Sequence, residues 1–300
     1  MRRLDLSFAM TSPLRLAIIG GGNIGSAFAL KLVSVGHHDV TVIARPGSKR
    51  LQQLQELNGI VSVSGQRAAV TVSDELDTSI AYDVVIVTTH AHQVEPLLPV
   101  LQASATKAIL FMFNIYDPDR LARMFGARAV FGMPFIQVDL TPEGLVDANY
   151  NFKSAIGDVR WVEVFKAADI MVYYEPKMLL WLRSHVPVGV GVITVCVPAS
   201  RRGAGATWGE AMTVARAAHA SWTLTKSLGY SIYGTDKAVF ASLPVAALAA
   251  LLWVFSRTSL RNRFATAKGE AFALVDGTVE AARQANMTSL VPVLEAVKTL

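Results

Sequence analysis

The stretch that most constrains this chain covers residues 14–45. An apolar run at residues 14–19, interrupted only by Arg15, is too short for anything but a buried strand. It leads into Gly20-Gly21-Gly22-Asn23-Ile24-Gly25 and then residues 26–33, whose apolar spacing predicts a helix. A turn at Gly36 and a second strand over residues 40–44 follow, closing on Arg45. Strand, G-x-G-x-x-G, helix and strand in that order make a dinucleotide-binding unit in which each glycine has a steric duty. Gly20 makes the tight turn, Gly22 lets a diphosphate approach the backbone, and Gly25 lets the helix lie close on the strand. The N–H groups at the helix start, through Gly21, Asn23 and Ile24, then face the diphosphate.

The residue closing the second strand selects the dinucleotide. An acidic residue there would accept from a ribose 2′-hydroxyl. Arg45 stands there instead, with Ser48, Lys49 and Arg50 just beyond, and a guanidinium suits a 2′-phosphate. The expected cofactor is NADP(H), held in part by Arg45 and Lys49. The alternative for these cations is a solvated basic start to the next helix.

At 300 residues the chain is longer than one hydrophobic core usually organises, so two domains are expected. An apolar fraction of 52% implies a large core or a buried interface, such as that of a homodimer. The lone Cys196 lies in an apolar run and reads as packing, and a chain without a disulfide framework fits a reducing cytoplasm. The net charge of +5 is spread with no long basic block, which favours small phosphorylated or carboxylated ligands over nucleic acid. Residues 1–9 contain an acid and no sustained apolar core, so they do not read as a signal peptide, and Met10 is a candidate start. Residues 238–256 are an uncharged run as long as a short membrane span, but Pro244 interrupts them, and they are expected to be buried in a helical domain.

Further along, a polar helix is expected near residues 48–57, then a hairpin pairing residues 60–63 with 68–72. Residues 84–89 read as a strand buried on both faces, followed by a helix from His90 to about Leu101. Residues 108–113 are the next strand, ending at Asn114. Strand ends are where open α/β sheets bind ligands, so His90 and Asn114 are candidate site residues. A helix over residues 118–124, a strand over 129–132 and mixed structure to Gly157 complete the first domain, residues 1–158. The second domain, residues 159–300, reads as helical after one short strand at 170–173. It includes a long helix over about 259–284 and a final helix with Pro292 in its first turn.

This layout resembles the ketopantoate reductase (2-dehydropantoate 2-reductase) family over nearly all of the chain from Leu14. The resemblance is carried by the glycine loop, Arg45, the strand ending Thr88-Thr89-His90-Ala91-His92-Gln93, Asn114, Trp181, Glu270 and Pro292. It implies an α/β fold, an N-terminal Rossmann-type doubly wound sheet followed by an all-helical C-terminal domain. It also implies NADPH, reduction of a 2-oxo acid carbonyl, and a place in pantothenate biosynthesis. His90 stands where the family has a lysine, with Gln93 kept, and Ile115 replaces a glycine after Asn114. Aligned on Trp181, the W-x-K-x-x-x-N pattern becomes Arg183 and Pro187, with Gly191 at the later asparagine.

Several roles stay open on the residues alone. His90 and Gln93 are candidates for the cofactor or substrate, and a strand-end histidine bonded to backbone is the alternative. Asn114 would hold the nicotinamide end, or serve as a turn residue. Glu270 would bond cofactor or substrate, or lie on an exposed helix face. Lys177 and Arg183 are candidate cations for a substrate carboxylate, or surface charges. Arg183, His185 and His90 are the candidate catalytic set, with Arg183 binding the anion and a histidine donating the proton. His185 should point about 200° from Arg183 on a helix unless Pro187 opens the turn. No metal is expected, since His90-x-His92 has no further ligand at suitable spacing. The chain should reduce ketopantoate poorly and act on a related carbonyl. The competing readings are a non-catalytic NADP(H) sensor or scaffold, and an opine- or amino-type dehydrogenase.

Overall fold

A computed structural model describes residues 12–300; the expectations for residues 1–9 and for Met10 lie outside it. The described chain divides into two compact units. The first takes the residues up to Thr89 together with Leu97–Met112 and Ala127–Tyr174. The second takes His90–Pro96, Phe113–Gly126 and Glu175–Leu300.

The first unit contains strands β1 (Arg15–Ile19), β2 (Asp39–Ile43), β3 (Ile60–Val61), β4 (Arg67–Ala68), β5 (Thr71–Ser73), β6 (Val84–Val87) and β7 (Ile109–Met112). After these come β8 (Ala129–Met133), β9 (Gln137–Leu140), β10 (Val146–Asn149), β11 (Ser154–Ile156) and β12 (Val172–Tyr174). Eight of them form one sheet in the order β12-β11-β8-β7-β6-β1-β2-β5. Every neighbouring pair is parallel except β11 with β8. The six strands from β5 to β8 have the doubly wound order, and the direction of winding reverses between β1 and β6. Both central strands are apolar along their inner length because helices cover each face, and Val84, Val85, Ile86 and Val87 are all buried.

Helices α1 (Asn23–Ser34) and α2 (Lys49–Glu56) pack with this sheet, and α3 (Leu98–Ala103) lies in the same unit; α4 (Asp119–Phe125) belongs to the second unit, and α5 (Val159–Ala167) returns to the first. Phe28 of α1 meets Phe165 of α5 edge to face at 5.0 Å within the core. The junction therefore falls after Tyr174 and not at residue 158, because Trp161, Val162 and Phe165 are buried in this core and β12 extends this sheet.

The hairpin is shorter than expected. β3 pairs with β4 only, and Thr71–Ser73 leaves it to pair in parallel with β2 at the sheet edge. The segment after β6 begins as 3-10 turns, Ala91–Gln93 and Glu95–Leu97, before α3. Pro96 has no N–H to continue a helix, and the Gln93 side chain accepts from the His90 N–H as a cap.

The second unit is helical: α6 (Met178–Arg202), α7 (Trp208–Ser227), α8 (Thr235–Ser242), α9 (Val245–Phe255), α10 (Arg261–Ala265), α11 (Lys268–Gln284) and α12 (Val291–Glu295). The Thr207 hydroxyl caps α7 and Glu210 reaches back to the Thr207 N–H. Pro292 sits in the first turn of α12, as expected. The long helix expected over residues 259–284 is two, since Thr266 and Ala267 make three-residue turns back to Arg263 and Phe264.

Residues 238–256 are likewise two helices, bent by 117° where Pro244 interrupts them. Leu248, Ala249 and Leu252 are buried, but Val239, Leu251 and Val254 are 50–57% exposed, so the expectation of burial holds for one face only. Helix α6 is long and apolar enough to cross a membrane, yet 72% of its most apolar stretch is buried. Cys196 lies on it, fully buried, with burial pushing its thiol up to about 11, which suits packing rather than nucleophilic chemistry.

Candidate active site

In the first unit the glycine loop leaves β1 at the point where the winding reverses. Gly20 has φ +105°, which favours glycine, and its carbonyl accepts from the Thr88 hydroxyl at 2.8 Å. At Gly25 an added Cβ would lie 2.0 Å from the Gly20 carbonyl oxygen, so helix α1 approaches the strand as closely as backbone permits. At Gly22 an added Cβ would meet nothing within 4 Å. The residue that sets the N-terminus of α1 thus carries no capping side chain and opens onto free space. That arrangement fits a dinucleotide diphosphate, which would take the N–H groups at the start of α1 and the positive end of its dipole.

The remaining expected cofactor residues fall into two groups. The Asn23 amide donates to the Val138 carbonyl at 2.8 Å, so its side chain anchors β9 and only its backbone N–H remains for a phosphate. Ile24 packs its side chain against the core. Arg45 and Lys49 are exposed, at the end of β2 and the start of α2. Ser48 caps α2 by accepting from the Leu51 N–H.

Arg50 supports the loop in a way the sequence did not reveal. Its guanidinium donates to the Gly21 carbonyl at 2.8 Å, the Gly144 carbonyl at 2.8 Å and the Ser26 hydroxyl at 2.9 Å. Burial lowers its pKa to about 10, still well above neutrality. One visible signal was a second arginine adjacent to Lys49; nothing in the spacing told which cation would turn inward.

In the second unit, α6 presents two different faces. Arg183 is 2% exposed and donates to Asp117 at 2.8 Å and Asp119 at 2.6 Å. Its guanidinium lies 4.1 Å from the Tyr230 ring centroid and 5.3 Å from that of Tyr116. Hydrogen bonds from Arg183 to Asp119 and Asp117 raise its pKa against the opposing cost of burial. This corrects the expected role of Arg183 as an anion binder, because two carboxylates of its own unit already neutralise it. The carboxylates Asp117 and Asp119 were not singled out from the sequence, being more than 60 residues away along the chain.

The other face carries Trp181, His185 and Gly189, one turn apart. Trp181 and His185 stack at 4.6 Å between centroids and 20° between planes. An added Cβ at Gly189 would lie 3.3 Å from the Asn114 amide nitrogen and 3.7 Å from His185 Nε2. Asn114 is 4% exposed, and its Oδ1 is buried with no hydrogen-bond partner. Burial pushes the His185 pKa down to about 4, with the Lys237 charge adding to the effect, so the imidazole is neutral at pH 7. Helix α6 runs unbroken through Pro187, so Arg183 and His185 stay on different faces.

Lys237, on α8, was also missed. It is 3% exposed, with Nζ 4.3 Å from the Trp181 ring centroid and 3.3 Å from Asp236. Lys177, by contrast, is exposed, its Nζ 5.5 Å from the Tyr233 ring centroid.

His90 is exposed and stacks on His92 at 5.6 Å, with Nδ1 3.8 Å from a Glu270 carboxylate oxygen. Burial raises the Glu270 pKa and the facing histidines oppose that rise. Structure thus brings His90 and Glu270 together, while Gln93 is engaged in capping His90. Among the described residues no group of three His, Cys, Asp or Glu side chains is placed to hold a metal ion.

Residues 16–161 match the family described as ketopantoate reductase PanE/ApbA. The chain carries a ketopantoate reductase family domain. No curated protein sequence matches it. Solved structures with the same fold include a D-mandelate dehydrogenase in complex with NADH, at 14% identity and TM-score 0.72, covering 95% of this chain and 98% of the other. A ketopantoate reductase of the PanE/ApbA family from Ralstonia eutropha aligns at 17% identity and TM-score 0.71, covering 95% and 97%. A 2-dehydropantoate 2-reductase from Porphyromonas gingivalis aligns at 15% identity and TM-score 0.66, covering 96% and 99%. The ketopantoate reductase fold thus extends through the helical region beyond the family match, and it is the doubly wound sheet followed by helices that the sequence led one to expect.

Proposed function

We propose that this protein is a nicotinamide-dinucleotide-dependent reductase of a small 2-oxo acid or related ketone, with NADP(H) as its cofactor. The observation that carries this reading is the glycine loop. Its geometry is crowded at Gly20 and Gly25, where packing requires glycine, and open at Gly22, where a ligand does. A bound reduced cofactor would supply a hydride to a carbonyl carbon. The loop amides would hold its diphosphate, and Arg45 and Lys49 its 2′-phosphate. In the second unit the buried Asn114 Oδ1, which has no hydrogen-bond partner, is an acceptor for a donor group on a ligand.

The neutral His185 would donate an N–H to the substrate, held in orientation by the Trp181 ring. His90 and Glu270 form a second polar pair for cofactor or substrate hydroxyls. Ketopantoate itself is expected to be a poor substrate, because Arg183, Pro187 and Gly191 replace the lysine and asparagines of the family pattern. The relatives with this fold include a D-mandelate dehydrogenase, which supports a different 2-oxo acid. We further infer a homodimer, supported by the exposed apolar face of α9 and by a structurally similar ketopantoate reductase from Staphylococcus aureus that is dimeric.

Cofactor choice tests the first part. Charge-assisted bonds from Arg45 to a 2′-phosphate are worth about 1.5–3 kcal/mol. NADPH should therefore bind roughly 10- to 100-fold tighter than NADH, and Arg45→Ala should remove most of that difference. Fluorescence titration of both reduced cofactors measures it, and equal affinities in the wild type would overturn the NADP(H) assignment. Consumption of NADPH that depends on a 2-oxo acid separates the reductase from a non-catalytic sensor. A requirement for an added amine would indicate the opine-type reaction instead.

A further inference from the structure

Reduction of a carbonyl builds negative charge on its oxygen, and a positioned acid must supply a proton there. Neither of the catalytic candidates on α6, Arg183 expected as the anion binder and His185 as a donor, meets that need. Arg183 is held by Asp117 and Asp119, and a guanidinium does not give up a proton in a protein. His185 is kept neutral by burial, so it has no imidazolium proton to transfer near pH 7.

Against the same face stands an ammonium group. Lys237 Nζ lies 4.3 Å from the Trp181 ring centroid, and Trp181 stacks on His185. His185 in turn shares the Gly189 position with Asn114. Buried charge is costly unless paired, and the carboxylate bonded to Lys237 is that of Asp236, whose own side chain is 66% exposed. An ammonium has three donors. One is directed to Asp236 and the indole face attracts the charge, which leaves donor capacity for an anion arriving beside Trp181 and His185.

We propose that Lys237 is the proton donor to the substrate carbonyl oxygen, delivered from α8 rather than from α6. This rests on the reductase reading above. In the step the carbonyl π bond breaks, and its carbon takes a hydride from the reduced nicotinamide dinucleotide, which is oxidised. The oxygen takes a proton from Lys237 Nζ, which is left as a neutral amine and recovers its proton from water.

The test uses the full chain with NADPH and a panel of 2-oxo acids, then Lys237→Met and Lys237→Arg. Binding of oxamate, an unreactive 2-oxo acid analogue, is followed in parallel by tryptophan emission. Lys237→Met should lower kcat by about 100-fold or more and weaken oxamate by about tenfold or more, with NADPH affinity kept. Lys237→Arg should regain oxamate affinity without regaining kcat, and because it keeps the buried charge it remains decisive if the Met variant folds poorly. Recovery of kcat by the Arg variant, or unchanged kcat and oxamate affinity in the Met variant, would overturn the proposal. A wild type that binds NADPH and reduces none of the panel would instead overturn the reductase reading, and this inference with it.

Discussion

Gly22 and Gly25 stand three residues apart and answer to different constraints. A methyl group at Gly25 would collide with the Gly20 carbonyl at 2.0 Å, whereas at Gly22 it would enter open space. Gly25→Ala should therefore destabilise the first unit by about 3 kcal/mol, while Gly22→Ala should leave the melting temperature nearly unchanged and weaken NADPH by about tenfold or more. Thermal melts and cofactor titrations on both variants check this, and an equal loss of stability from each would contradict it. These glycines were legible because the motif ties residue type directly to backbone geometry. Arg50 and Lys237 were not, since what turns a cation inward is a carbonyl, a hydroxyl or an indole brought to it by distant segments.

At the scale of the element, α6 shows what periodicity can and cannot foresee. Residues two apart on a helix diverge by about 200°, and Arg183 and His185 do so because Pro187 is accommodated without a break. The separation was legible; the partners were not, because Asp117 and Asp119 lie in a segment that reads as an ordinary helix start. Arg183→Met should cost about 3 kcal/mol, the lower end for breaking a buried pair, since Asp117 and Asp119 are 41% and 24% exposed and can recover water. Combining it with Asp117→Asn and Asp119→Asn should cost less than the sum of the separate changes. Strict additivity in denaturant melts would show that the three groups do not act as one cluster. Helix breaks were less legible than helices: Pro244 announces its bend in sequence, but the turns at Thr266 and Ala267 have no comparable marker.

For the whole molecule, length alone indicated two domains, but not where the chain passes between them. The glycine loop announced the doubly wound sheet, while α5 and β12 looked from sequence like the start of the helical region because their burial depends on the sheet they join. The exposed side chains Leu251 and Val254 of α9 give the proposed homodimer its test. Leu251→Glu with Val254→Glu should convert a dimer to a monomer in analytical ultracentrifugation, since a buried unpaired charge at an interface is strongly unfavourable. A wild type that sediments as a monomer at high concentration would rule the dimer out.

The second unit is assembled from three stretches of chain, His90–Pro96, Phe113–Gly126 and Glu175–Leu300. Inheritance of this unit is therefore not a matter of one crossover. A chimera joined at Tyr174 would receive Arg183 from one parent and Asp117 and Asp119 from the other, and it would part Glu270 from His90 and Thr225 from Tyr116 in the same stroke. Recombination that exchanges this unit intact must exchange all three stretches, so these pairs are bound to one lineage even though the sequence holds them far apart.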